Sequence, residues 1–378
     1  MNRNLQGIEI SGIRKFFNKL QEVPDAISLT LGQPDFKVPE RIKRAMVDAI
    51  NNDNTIYTAN AGIYELRKEI CTYLGGYNIN YEPEEVCITV GGSEGLYSAL
   101  SALINPGDRL IIPDPAYPAY KSIGTILGAE IDEYKLQEDF SLNFEDLKLK
   151  IKKGSKNILV LSFPSNPTGA ILSLEDRKKL QELIKENEIL VITDEIYSAL
   201  CYSEYYSIAE CQDIKEKIIY VSGFSKMFSM TGLRVGYICA PKEILREIMK
   251  VHQYNVSCAT SISQYAALEG LRSSLGDVSY MKETFRERRD FVYHKLLKLG
   301  FKCNFPQGAF YIFPSIKGFN MKSEDFCDDL LYEGKVACVP GTAFGARGEG
   351  FIRISYSYSK EELQEAFNRM EKWICKKI

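Results

Sequence analysis

The sequence predicts an α/β protein: a large domain built on a mostly parallel sheet sandwiched by helices, plus a smaller α+β domain. Three observations carry this. Between Val86 and Ala240, seven short apolar runs alternate with helical stretches: EVCITV, RLIIPD, AEIDEYKL, NILVLSF, ILVITD, KIIYVS and RVGYICA. Near-continuous apolar strands separated by helices mark a parallel sheet covered on both faces. After Ala240 the rhythm stops, and helices mix with the short runs GAFYIFP, KVACVP and GFIRISY. The third observation is length, because 378 residues are chain enough for about two domains. We place the large domain at 45–280 and the small one at 1–44 and 281–378. The N-terminal residues join the small domain because they precede the α/β rhythm.

The elements follow in order. Helical spacing covers 13–20, and AISLTLGQPDF is then extended until Gly32 and Pro34 break it. Pro39 opens a helix reaching residue 50, and a polar loop holding Tyr57 and Gly62 leads to an amphipathic helix. Within the sheet region, 94–104 and 174–185 are helical, and Ser173 with Asp176 starts the second as a capping box. Further helices are expected at 242–254, 261–274 and 278–299. The last keeps Met281, Phe285, Val292, Leu296 and Leu299 on one apolar face. Ser359 and Glu362 cap the final helix.

With 45% hydrophobic and 26% charged residues the composition is that of a globular protein. A net charge of -3 and the absence of a basic block remove any electrostatic case for nucleic acid. No run is long enough to span a bilayer, and MNRNLQGIEISGIRKFF has no apolar leader core, so a soluble cytoplasmic protein is expected, with no membrane partner. Ten scattered cysteines without a CxxC pair suit reduced thiols. The only histidines, His252 and His294, give little to a zinc site or a Ser-His-Asp triad, and no metal is expected.

The chemistry gathers at strand ends, where loops of a parallel sheet hold ligands. SGFSKMFSMTGLRVGY presents Lys226 just after the run IIYV. Such a lysine can form a Schiff base with a carbonyl, and Ser225 and Arg234 suit a phosphate. An aldehyde that carries a phosphate is pyridoxal phosphate. In VGGSEGLYSAL a glycine turn opens a helix, so the amides of Gly92, Ser93 and Glu94 would face an anion; alternatively Ser93 is a plain N-cap. DPAYPAY holds Tyr117 at a strand end, where its ring stacks on a flat heterocycle or simply completes a turn.

SFPSNPTGA puts Asn166 at the rim of the sheet, as a donor to a phenolate oxygen or as part of an Asn-Pro turn. Asp194 follows Val191, Ile192 and Thr193 at the end of an apolar run in VITDEIY, and its burial calls for a cation such as a protonated pyridine nitrogen; a surface cap is the alternative. Tyr197 lies on the same side of a helical turn and reaches the ring oxygen. Arg353, between Ile352 and Ile354, faces opposite to both and wants a carboxylate, either a substrate's or an internal one.

Together with SGIRKFF, LGQPDF, SNPTG, DEIY, PGTAFG and FIRISY, these motifs resemble, over nearly the whole chain, the class I/II aminotransferases of pyridoxal-phosphate fold type I. The branch is that of aspartate and aromatic aminotransferases. The resemblance implies that Lys226 binds pyridoxal 5'-phosphate and shuttles the proton, while Asp194 pairs with the pyridine nitrogen. It implies Asn166 and Tyr197 on the ring oxygen, Tyr117 on the ring, and Gly92, Ser93, Glu94, Ser225 and Arg234 around the phosphate. Arg353 would take the α-carboxylate beside Gly32 and Asn166. Tyr57 matches a tyrosine that reaches the phosphate from the partner subunit, which implies a homodimer with shared active sites.

One position departs: many members carry a phosphate-binding serine three before the lysine, where this chain has Gly223, with Ser222 one place off. The implied reaction moves an amino group between an L-amino acid and a 2-oxo acid. A carbon–sulfur β-lyase on the same fold is the alternative, since both pass through one carbanion. HQYNVSCATSISQY, similar to a segment lining the neighbouring site, offers Tyr254, Asn255 and Ser257 but no cation. We therefore expect neutral or aromatic donors with 2-oxoglutarate as acceptor, and aspartate remains open through Arg14 or Lys15.

Overall fold

The structure, a computed structural model, describes residues 3–8 and 12–377. A helix, Gly12–Leu20, and a short strand, β1 (Ile27–Ser28), precede the sheet region. The seven apolar runs all become strands: β2 (Val86–Thr89), β3 (Arg109–Asp114), β4 (Glu130–Lys135), β5 (Asn157–Ser162), β6 (Ile189–Asp194), β7 (Ile218–Gly223) and β8 (Gly236–Cys239). They form one sheet in the order β2-β8-β7-β6-β5-β3-β4. Only β8 runs against its neighbours; the other pairings are parallel. Every residue of β5 and β7 is buried, which is why those runs are apolar without alternation.

Helices cross between the parallel strands. Leu174–Glu186 links β5 to β6, and Ser173 Oγ accepts the Asp176 amide at 3.0 Å, as the capping pattern predicts. Gly91–Leu103 leaves β2 and packs on β7, β8 and the helix Lys242–Val256. It begins three residues before the expected start, so Ser93 lies inside the first turn and is not its N-cap. The reason is local. Gly91 turns the chain with φ 75°, and the Glu94 carboxylate reaches back to accept the Val90 amide at 3.0 Å.

Beyond β8 come the helices Lys242–Val256, Ser261–Ser273 and Leu275–Lys298. The last buries Met281, Phe285, Val292 and Leu296, with Arg289 on the same face; Leu299 sits just past its end. Short strands follow: β9 (Tyr311–Ile312), β10 (Val336–Ala337), β11 (Val339–Pro340) and β12 (Ile352–Ser355). β11, β12 and β9 make a small antiparallel sheet, while β10 pairs in parallel with β1. The closing helix Lys360–Lys377 has a full capping box: Ser359 Oγ accepts the Glu362 amide at 3.2 Å, and Glu362 Oε2 accepts the Ser359 amide at 3.0 Å. These elements share a core of their own that includes Phe16, Phe285, Phe310, Phe326 and Trp373. All ten cysteines are unpaired. Among the described residues, no helix is long and apolar enough to cross a membrane, and no His/Cys/Asp/Glu group could hold a metal ion.

Candidate active site

The loops leaving the carboxyl ends of β5, β6 and β7 open onto a cavity of about 700 Å³. Lys226 enters it from a single helical turn, Phe224–Met227, directly after β7. Its Nζ donates to the Gly32 carbonyl at 2.5 Å, and no described carboxylate lies within ion-pair distance. Burial, with Arg234 and Arg353 nearby, lowers its pKa to about 8. The amine can therefore exchange a proton near neutral pH.

Asp194 ends β6 and is buried. Tyr120 Oη donates to Oδ2 at 2.7 Å and the Ile196 amide to Oδ1 at 3.2 Å, which fixes the carboxylate. Desolvation still raises its pKa, against the pull of those donors and of Lys226. A cation brought beside Asp194 would relieve that cost.

Arg353 is only 1% exposed. Nη1 donates to Asn166 Oδ1 at 2.9 Å and Nη2 to the Thr30 carbonyl at 2.6 Å. The guanidinium lies over the Tyr311 ring at 4.3 Å and the Phe344 ring at 4.9 Å. Nε has no partner, and no described acid pairs with the group, so the internal salt bridge that the sequence left open is not formed. A buried guanidinium held by neutral acceptors alone is an anion site. Because Asn166 spends its oxygen on Arg353, its amide nitrogen is left as the donor.

At the other end of the cavity Gly92 and Ser93 lie in the first turn of Gly91–Leu103, beside Ser225 and Arg234. A Cβ on Gly91 would sit 2.5 Å from Arg234 Nη2, and one on Gly236 would sit 2.7 Å from the Gly92 amide nitrogen. Both glycines let backbone and guanidinium close on the same space. Tyr197 lines the cavity as well, its hydroxyl 2.8 Å from that of Tyr311. Tyr117 stands edge-on to Tyr120, with ring centroids 5.6 Å apart.

Residues 24–370 match the family described as aminotransferase class I and II. The chain belongs to this family. It is 43% identical to a probable N-acetyl-LL-diaminopimelate aminotransferase of Bacillus subtilis, covering all of this chain and 96% of that one. It is 40% identical to an aspartate aminotransferase of Pyrococcus horikoshii, over 97% and 95% of the two chains. The solved aromatic aminotransferase from Pyrococcus horikoshii superposes with a TM-score of 0.91 at 36% identity, over 96% and 99% of the chains. The protein is an aminotransferase, and its substrates are amino and oxo acids.

Most of the residues singled out in the aminotransferase sequence meet in this cavity: Gly32, Gly92, Ser93, Tyr117, Asn166, Asp194, Tyr197, Ser225, Lys226, Arg234 and Arg353. Glu94 does not line it. Its side chain turns to Val90, Ser98 and His252, so only its backbone amide belongs to the helix end. Ser222 does not substitute for the serine absent at 223 either, because its Oγ donates to the Glu195 carbonyl at 3.0 Å. A Cβ on Gly223 would come within 2.8 Å of Gly236 Cα, so β8 leaves no room there for a side chain.

Tyr57 is 85% exposed and lies outside the cavity of its own chain, as do Tyr254, Asn255 and Ser257. Arg14 lines the cavity, while Lys15 lines another on the far side of the helix Gly12–Leu20. Sequence reasoning missed Tyr120, Tyr311 and Gly91. DPAYPAY did offer a second tyrosine, but the hydroxyl of Tyr311 is directed only by the pairing of β9 with β12.

Proposed function

We propose that this aminotransferase works with pyridoxal 5'-phosphate, as a homodimer with shared active sites, and moves amino groups between a broad set of L-amino acids and 2-oxoglutarate. The observation that carries the reading is a pair of cations, Lys226 and Arg353, that share one cavity with Asp194 and have no carboxylate partner of their own. The residues fit the cofactor. Lys226 would hold its aldehyde, Asp194 its ring nitrogen, Asn166 and Tyr197 its ring oxygen, and Tyr117 its ring face. A helix N-terminus with Ser225 and Arg234 suits a phosphate dianion. When bound, the cofactor supplies an electron sink for the bond broken at the substrate's Cα.

The chain's own groups do the rest. Arg353 fixes the α-carboxylate, which leaves the Cα proton within reach of one base. Lys226, with its depressed pKa, is suited to take that proton and return it. Asp194, as an anion, keeps a positive charge on the nitrogen beside it. Support for breadth comes from relatives named for aspartate, aromatic and acetylated diaminopimelate substrates. Exposed Tyr57 suits donation to a second copy. Division into 45–280 and 1–44 with 281–378, and a cytoplasmic location, belong to the same reading.

Reconstitution with the cofactor tests it. The protein should gain visible absorbance, and borohydride should fix the cofactor on Lys226; attachment to another lysine, or persistence of the band in Lys226→Ala, overturns the assignment. Incubation with a panel of amino donors and 2-oxoglutarate should yield oxo acids without ammonia. Pyruvate with ammonia would mean β-elimination instead.

A further inference from the structure

Tyr197 follows the carboxyl end of β6 in the large sheet, whereas Tyr311 begins β9 in the small one. Both line the cavity, both are buried, and their hydroxyls lie 2.8 Å apart. Among the described residues, neither hydroxyl has another hydrogen-bond partner. The rings stand edge-on, with centroids 5.7 Å apart. Pairing of β9 with β12 places Tyr311 in the sheet that carries Arg353, whose guanidinium lies 4.3 Å from the centre of the Tyr311 ring. Gly32 keeps the space clear, since a Cβ there would stand 2.9 Å from the Tyr311 hydroxyl oxygen.

Each hydroxyl has one proton, so only one of the two can donate across the pair. In the function proposed above, Tyr197 faces the cofactor's ring oxygen, which as a phenolate has no proton to give. Tyr197 must then spend its own proton on that oxygen and accept from Tyr311. Electrostatics favour the same direction. Burial raises the pKa of both hydroxyls, that of Tyr197 the further, because Arg353 stacked on the Tyr311 ring offsets part of the rise there. Tyr311 is therefore the stronger acid and the better donor of the pair. We propose that Tyr311 is a positioning residue: its hydroxyl donates to Tyr197 and so commits the Tyr197 proton to the cofactor's ring oxygen. A ring oxygen held by a committed donor offers less negative charge to the nitrogen that Lys226 contributes, so that nitrogen loses its proton at lower pH. In this role Tyr311 acts through Tyr197 alone.

The inference rests on the functional reading for the oxygen beside Tyr197, so its test reads absorbance and binding rather than turnover. Titrate the visible band of the cofactor-loaded protein with pH. Tyr311→Phe removes the hydroxyl and leaves the ring over Arg353. It should raise the midpoint by about half a pH unit, as the loss of part of a neutral hydrogen bond would. The calorimetric dissociation constant of 3-phenylpropionate, a carboxylate without an amino or oxo group, should change by less than about twofold, because Arg353 keeps its surroundings. Tyr197→Phe should raise the midpoint further, and adding Tyr311→Phe to it should then change nothing. An unchanged midpoint in Tyr311→Phe, with that of Tyr197→Phe displaced, overturns the proposal. So does a second, equal shift when Tyr311→Phe is added to Tyr197→Phe, since Tyr311 would then act on its own. If Tyr197→Phe leaves the midpoint in place, the assignment of Tyr197 to the ring oxygen falls and the proposal with it. A wild-type protein that gains no visible band overturns the functional reading itself, and Tyr311's part in it.

Discussion

Lys226 is a partly buried amine among cations, and that placement has a thermodynamic consequence. Its folded-state pKa of about 8 lies below the ordinary lysine value of 10.5. Between those two values the unfolded chain binds more protons than the folded one, so stability should rise with pH across that window. Below about pH 8 the whole cost of burying the charge is present. Lys226→Met keeps the length and removes the charge. In the cofactor-free protein it should therefore stabilise at pH 7 by on the order of 2 kcal/mol, discounted for water in the open cavity. The gain should shrink as pH approaches 10; urea unfolding at pH 7, 8.5 and 10 measures it. An equal gain at every pH would assign the effect to packing. At this scale the sequence was informative wherever a polar residue interrupted apolar surroundings. Asp194 and Arg353 stood out for that reason, whereas Lys226 and Asn166 stood out in the turns that directly follow apolar strands. Tyr120 and Tyr311 did not, because a tyrosine in a strand-like run looks like core until its hydroxyl has a direction.

The helix Gly91–Leu103 shows what one element can hide. Its start is governed from within by Glu94, whose carboxylate also faces His252 Nδ1 at 3.2 Å. His252 is fully buried in the helix Lys242–Val256, and its Nε2 lies 3.0 Å from the Asn60 carbonyl, which can only accept. One imidazole thus ties the helix end beside the cavity to the loop that carries Tyr57. His252→Leu removes a buried donor and strands both partners, so it should destabilise the cofactor-free protein by roughly 1–3 kcal/mol. His252→Gln should lose less. A shift in the urea midpoint at constant slope would show it, and no shift would mean that Gln264, bonded to Thr58 and Ala259, holds the loop alone. His252 was visible in the sequence only as a histidine inside a helix, because its partners lie 158 and 192 residues away. The central strands β5 and β7 were legible for the opposite reason: a strand buried on both faces writes its environment into every consecutive residue.

For the whole molecule, the exposed apolar groups are informative. Ile56 is 77% exposed, Tyr57 85% and Tyr64 50%, all around one surface depression, and Tyr254 at 89% precedes Ser257, whose carbonyl accepts from Asn60 of the same loop. Large side chains gathered in water in this way mark a surface that a partner covers. In the proposed homodimer a second copy of the chain would supply that cover and bring Tyr57 to the neighbouring phosphate cup. The two-fold arrangement makes the test quantitative. Combine Tyr57→Phe subunits, expected to be impaired, with Lys226→Ala subunits, expected to be inactive. In each hybrid dimer one site joins intact Lys226 to intact Tyr57, and the other carries both defects. With random exchange half the dimers are hybrids, so the mixture should regain about a quarter of the wild-type activity, on top of what the Tyr57→Phe homodimers retain. Mass spectrometry of differently tagged subunits verifies exchange. If verified hybrids show only the mean of the parental activities, each site is complete within one chain. If Tyr57→Phe alone is fully active, Tyr57 has no part in the site. Either result removes the shared-site reading while leaving Lys226, Asp194 and Arg353 where the fold puts them.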